Sequence, residues 1–297
     1  MTFVGLQHCR TLAQAEANDV MTDKYAKIML AGRPEADDID LDKFKIADEF
    51  PIALPLSVGL QAIHALNDLT VNLLLAPKRM RFITSDNPVI MYNSARSDVY
   101  WEGTIGLDCD GLQIFLPLSP DACLYLFDNY AYRPANDLIT KHIILKDIIK
   151  INCLSILNSK YNVYAKFLED LDCAKIFRKF TKHLESYDRV LFMESERVFR
   201  DDGTSSSIIG QFNIHPPARF SFDFAKLLRR DFDPRSRSTR KSPFFRNRGS
   251  DDSQTVSYPI SDDAALRPRD QISDSDARKI ANQFERIQRR NDATQRA

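Results

Sequence analysis

No C-x-x-C pair, no H-E-x-x-H helix and no glycine-rich phosphate loop occurs in this chain of 297 residues. The first two absences leave no legible zinc or dithiol redox motif, and the third removes the common dinucleotide and nucleotide signatures. The five cysteines, an odd number with no paired spacing, argue against a disulfide framework and fit reduced, buried thiols. No basic, then apolar N-terminal leader is evident in "MTFVGLQHCRTLAQAEAND". The longest apolar run, around Val71 to Ala76, is far shorter than the ~20 residues of a membrane helix. A soluble, cytoplasmic chain without a membrane partner is the expectation. G-x-S-x-G is absent as well, so no nucleophile elbow points to acyl chemistry.

What is present is an ordinary globular composition, 43% hydrophobic and 28% charged, able to bury a real core. Net charge is zero but unevenly spread. From Thr204 onward there are 18 Lys+Arg against 12 Asp+Glu, so this part carries +6 and the rest −6. Such asymmetry suits a basic extension with a polyanionic partner, or simply a solvated one.

Hydrophobic spacing predicts a helix over residues 1–31, with Leu6, Leu12, Val20, Ile28 and Met29 along its stripe. A second helix is expected to open after Ser57, carry Ile63, Leu66, Thr70, Leu73 and Leu74, and close at Pro77. The period then shortens. Phe82-Ile83, Val89–Tyr92, "LQIFLPL" and "CLYLFD" read as four antiparallel strands. Helical spacing returns in "ITKHIILKDIIKINCLSILNS" and "LEDLDCAKIFRKFTKHLES", and a hairpin is expected from "DRVLFMESERVF" and "SSIIGQFNI" around Asp201–Gly203. The fold class is therefore α+β: helices packed on one face of a small antiparallel sheet, followed by a disordered C-terminal extension. The expected division is a domain over 1–215 and an Arg/Ser/Asp-rich tail over 216–297, with a short terminal helix carrying Ile280, Phe284 and Ile287.

Three segments carry chemistry. In "RFITSDNPVIMYN", Ser85-Asp86-Asn87-Pro88 has the composition of a turn, since Asp and Asn bond nearby backbone and Pro fixes φ. The competing reading makes Ser85, Asp86 and Asn87 ligands at a strand end. "EGTIGLDCDG" offers Asp108 and Asp110 in a glycine-bearing loop, without the alternate ligands of a calcium loop. Together with Asp86 and Asp128 they form a candidate catalytic set, should all four meet at one sheet edge as magnesium-binding carboxylates do. No metal site or cofactor is otherwise indicated, and His64 on its helix reads as a hydrogen-bonded core residue.

The third segment, Arg219 to Arg248, holds eight Arg and two Lys against three Asp, interleaved with phenylalanine. Arg229, Arg230, Arg235, Arg237 and Arg240 are its candidate phosphate contacts, because arginine neutralises phosphates and aromatic rings stack on exposed bases. The alternative is an edge strand, "RFSFDF", with phenylalanines alternating inward, followed by a linker. Two functions follow: a nucleic-acid-associated protein, up to a metal-dependent hydrolase, or a non-catalytic interaction or regulatory module.

The succession of "VGLQHCRT", "TSDNPV", "PLSP" and a helix bearing Asn152 resembles the domain-of-unknown-function family 4238 of bacteria. The matching positions are Leu6, Gln7, Arg10 and Thr11, Thr84 to Val89, and Pro117 to Pro120, within roughly residues 1–200. The family's upstream H-H-x-x-P-x-x-[YF]-L segment does not occur in this chain, which starts inside the pattern. The resemblance brings no activity with it.

Overall fold

In the computed structural model, the described residues are 1–31, 33, 38–97, 105–136, 138–167, 175–178, 190–194, 198–199, 205–206, 209–214, 216–228 and 272–296. Strands β1 (Thr70–Leu75), β2 (Thr84–Ser85), β3 (Ile90–Tyr92), β4 (Gln113–Ser119), β5 (Ala122–Phe127), β6 (Tyr132–Pro134), β7 (Thr140–His142) and β8 (Val163–Tyr164) precede residue 165. Five of them make the main sheet in the order β3-β4-β5-β1-β7. All its pairings are antiparallel except β1 with β7.

The sheet divides its side chains by simple alternation. Met91, Ile114, Leu116 and Leu126 point to one cluster, which Val4, Leu66 and Leu69 complete. Ile90, Tyr92, Phe115, Tyr125 and Phe127 point to the other. Helices α1 (Thr2–Cys9), α2 (Leu12–Leu30) and α3 (Ala53–Ala62) lie N-terminal to the sheet. α1 supplies Val4 to the first cluster and packs on α3 so closely that a Cβ on Gly59 would collide with Cys9 Sγ. Helix α4 (Leu145–Asn158) belongs to the second cluster. Helices therefore cover both faces of the sheet, not one. The signal for this lies in β3 and β4, where apolar residues stand at nearly every position, the mark of a strand buried on both sides.

Three boundaries differ from the sequence reading, one being the helix expected from "ITKHIILKDIIKINCLSILNS", whose Thr140–His142 form β7 and whose helix begins only at Leu145. The first helix is two: Thr11 stops the first and caps α2, its hydroxyl accepting from the Gln14 amide at 3.4 Å. The expected second helix ends at Ala62 and gives way to a strand, since Thr70–Leu75 pairs in full register with β5. His64 stands exposed on the short 3-10 turn between them, not in the core. The expected "LEDLDCAKIFRKFTKHLES" helix lies mostly outside the described residues, although Ile176 and Phe177 are in the second cluster. The expected hairpin is present as β9 (Val190–Glu194) and β10 (Val198–Phe199) returning through β11 (Ser205–Ser206) and β12 (Ile209–Asn213). Its turn at Asp201–Gly203 is outside the described residues.

The packing also crosses the expected division at residue 215. Strands β13 (Ala218–Arg219) and β14 (Ala225–Leu227) bracket "FSFDF", in which Phe220, Phe222 and Phe224 are buried while Ser221 and Asp223 are exposed. The inward-alternating reading of this segment is the one the structure shows. Phe222 lies 5.1 Å from Phe115 and Phe224 5.2 Å from Tyr125, ring centre to ring centre. Further on, β15 (Ile272–Ser273) pairs in parallel with β13, and helix α5 (Asp274–Arg296) buries Ala277, Ile280 and Phe284 in the same cluster. Ser273 and Asp276 form a reciprocal capping box at its start. Ile287 and residues 229–271 are outside what is described. Sequence alone could not join 217–228 and 272–284 to the core, because the long basic stretch between them hides that the two segments pair with each other.

Removing residues 217–297 should therefore strip nine buried apolar side chains, Ala218 to Phe284, from the core and abolish cooperative unfolding. The milder Phe222→Ala change should cost about 3–5 kcal/mol in urea titration followed by near-UV circular dichroism. A truncated chain that unfolds with an unchanged midpoint contradicts this packing.

Candidate functional site

The "TSDNPV" stretch runs beside α4 with only β2 paired, to β8. Its remaining backbone groups find partners on the helix and just past its end. Asn152 Oδ1 accepts from the Ile83 amide at 3.1 Å, and its Nδ2 donates to the Arg81 carbonyl at 2.9 Å. Asn158 Nδ2 donates to the carbonyls of Asn87 (2.6 Å) and Val89 (2.9 Å), and Asn87 Nδ2 donates to the Asn158 carbonyl. The Asp86 carboxylate accepts from the amides of Lys160, Tyr161 and Asn162 at 2.8, 2.7 and 3.0 Å. Ser85 Oγ bonds locally to the Asn87 backbone. The segment bends as a turn-former should, but Asp86 serves a backbone 74–76 residues away. It is a tertiary clasp.

A second polar group surrounds Gly111, whose φ of +74° suits glycine and whose Cβ would stand 2.7 Å from Asn93 Oδ1. Asp128 Oδ2 accepts from the Gly111 amide (2.8 Å) and Oδ1 from the Tyr130 amide (2.9 Å). Asp110 forms a buried ion pair with Arg96 at 3.0 Å. Asn93 Nδ2 donates to the Asp110 carbonyl, and the Tyr132 hydroxyl lies 3.0 Å from the Gly111 carbonyl. Burial pushes that phenol well above its ordinary pKa. Gln113 Oε1 accepts from Ser94, and its Nε2 donates to the Tyr125 hydroxyl at 2.7 Å. These side chains pin the loop between β3 and β4 to the start of β6.

The third group was not singled out from sequence. Lys150 is fully buried in α4, its ammonium 3.0 Å from Asp274, 3.5 Å from Asp147, bonded to the Ser221 carbonyl and 5.7 Å from the Phe222 ring centre. Asp274 also accepts from the Ser221 hydroxyl at 2.6 Å, and Asp147 from the Asp223 amide at 3.2 Å. Burial pushes the Asp147 carboxyl up to about 6 despite Lys150. Burial also works to raise Asp274, but the bonds from Ser221 and Lys150 outweigh it and hold this carboxyl below 3.8. The signal in the sequence was Lys150 and Asn152 set between apolar residues in "LKDIIKINCLSIL", with Asp147 one turn before the lysine.

The structure thus brings Asp110 and Asp128 to the two sides of Gly111, leaves Asp108 exposed, and holds Asp86 at the α4 terminus. The four carboxylates do not make one site. Among the described residues no three His, Cys, Asp or Glu side chains are grouped to hold a metal ion, and no helix is long and apolar enough to cross a membrane. Asp86, Asp110 and Asp128 are each engaged by backbone amides or an arginine. Arg229, Arg230, Arg235, Arg237 and Arg240 lie outside the described residues.

Asp86→Ala should cost about 1–3 kcal/mol, because three amides lose a charged acceptor at a partly solvated site, and amide exchange at residues 160–162 should accelerate. Equal stability with unchanged exchange would dismiss the clasp. For Asp147, a raised native pKa means stability present below about 4 and lost as pH rises through about 6. Asp274 acts oppositely, its contribution lost as pH falls below 3.8. Stability should therefore decline between pH 4 and 7 by up to about 3 kcal/mol from Asp147, and Asp147→Asn should flatten that slope in a pH series of urea unfolding.

No curated protein and no solved structure matches the chain. A family model does, over residues 1–167, which takes in α1 to α4, the main sheet and the clasp, and stops short of the segments that cover Lys150. The model is that of the Protein of unknown function (DUF4238) family, and the chain belongs to it.

Proposed function

We propose that this protein binds single-stranded nucleic acid through its arginine-rich segment, with the α+β core as the scaffold that displays it. The observation that carries the reading is where that segment starts and ends. β14 is fixed against β6, and β15 is fixed against β13, so the strands that flank residues 229–271 in sequence are both anchored. Of the ten cations between Arg219 and Arg248, eight fall at or beyond Arg229, against two aspartates there. Arg229, Arg230, Arg235, Arg237 and Arg240 are the proposed phosphate contacts, and Phe232, Phe244 and Phe245 are the rings available to unstacked bases. Phe220, Phe222 and Phe224 are not, since they are spent on the core.

Metal-dependent hydrolysis gains no support from the aspartates, which hold loops in place. Binding is accordingly the activity proposed. A labelled oligothymidylate and a duplex of equal length, titrated at low and physiological salt, test it. About four to seven phosphate contacts predict a log–log salt slope of roughly −3 to −5 and tighter binding to the single strand. No binding at low salt removes the nucleic-acid reading and leaves a protein-interaction module.

A further inference from the structure

Strand β14 pairs with β6 so that Lys226 stands directly opposite Arg133. Residues directly opposite in an antiparallel ladder share a face with Cβ atoms about 5 Å apart, and like charges in that position repel. Both side chains are exposed, and among the described residues neither has a hydrogen bond, ion pair or ring contact. Elsewhere on the surface the habit is different: Arg81 pairs with Asp121, Lys160 with Glu16, Lys27 with Asp23 and Lys279 with Asp276. The ladder continues into Leu228, whose amide donates to the Ala131 carbonyl at 2.8 Å, and the next residues in sequence are Arg229 and Arg230.

We propose that Arg133 and Lys226 are a phosphate-contacting pair on the folded core, where a bound single strand is first gripped before it follows the arginine-rich segment. The inference rests on the nucleic-acid reading above. Two cations at one spot, with no opposite charge paired to them among the described residues, raise the local potential, and a phosphodiester between them relieves their repulsion. Because the pair sits on a hydrogen-bonded ribbon, its backbone costs little ordering when the strand arrives.

The test compares the whole protein with its Arg133→Gln/Lys226→Gln form, using the labelled oligothymidylate over a salt series. Both positions are exposed and mutually repulsive, so the double variant should melt at the same temperature as the parent or slightly above it. Loss of two phosphate contacts should make the log–log slope shallower by about 1.4 and weaken binding several-fold at low salt. Parent-like affinity and slope in the double variant, with the parent itself binding, overturns this inference alone. If the parent does not bind at low salt, the nucleic-acid reading falls and takes the pair with it. A lower melting temperature in the variant overturns the inference too, because it would show the two cations supporting the fold.

Discussion

A helix buried on almost every side sets the terms for this fold. Of the residues in α4, Ile148, Ile149, Ile151, Cys153, Leu154 and Leu157 supply apolar packing, but Asp147, Lys150, Asn152 and Ser155 are buried with them. A polar side chain in that position must find a partner or cost several kcal/mol. Asn152 does so by bonding to the backbone of residues 81 and 83, and Asn158 at the helix end does the same for residues 87 and 89. The arrangement satisfies both parties, since a chain segment laid along a helix cannot use the helix's own occupied amides. The segment then delivers β3 into the sheet at the correct register. The "TSDNPV" and asparagine pattern is in this sense a rule of assembly, and the residues that carry it are occupied by one another.

Lys150 imposes the second condition. An ammonium with no exposure is tolerable only with close opposite charge and filled donor sites. Its acceptors come from three places in the chain: Asp147 one turn earlier, the Ser221 carbonyl, and Asp274 at the start of α5. One cation thereby fixes α4, the phenylalanine strip and the last helix relative to each other. Hydrophobic burial supplies most of the drive for closing this face, through Phe222, Phe224, Ile280 and Phe284. The lysine determines which arrangement is closed, because any other would strand its charge.

How much of this could be read from residues alone varied with the length of the signal. The β4–β5 hairpin was legible, being two apolar runs joined by Pro120-Asp121. So was α4, and so was the alternation in "RFSFDF". The strand Thr70–Leu75 was not, for its residues happen to extend the helical spacing of Ile63 and Leu66, and only pairing with β5 decides the matter. Thr11 and Gln14 did carry a capping signal that splits the first helix. The joining of 217–228 to 272–284 was illegible in principle, since it depends on a partner, Lys150, more than 60 residues away. The four aspartates illustrate the same limit: sequence shows that a carboxylate is present, while its partner, three amides for Asp86 or one arginine for Asp110, is a property of the fold.

What remains for function is then a question of which polar groups the fold has not used. The carboxylates of Asp86 and Asp128, the amides of Asn93, Asn152 and Asn158 and the Tyr132 hydroxyl are committed to holding loops and strands, and a group already saturated by backbone groups has little left to offer a substrate. Reactivity toward a partner has to come from groups whose present state is unfavourable and can be relieved by binding. The opposed Lys226 and Arg133 meet that criterion: their repulsion raises the energy of the free protein and vanishes against an anion. Lys226 also lies three residues before Arg229, where the most basic stretch of the sequence begins, so in the proposed complex the anion that relieves the pair has further cations next in the chain. Under the proposed binding, electrostatics of this kind gives capture and salt dependence with little sequence discrimination.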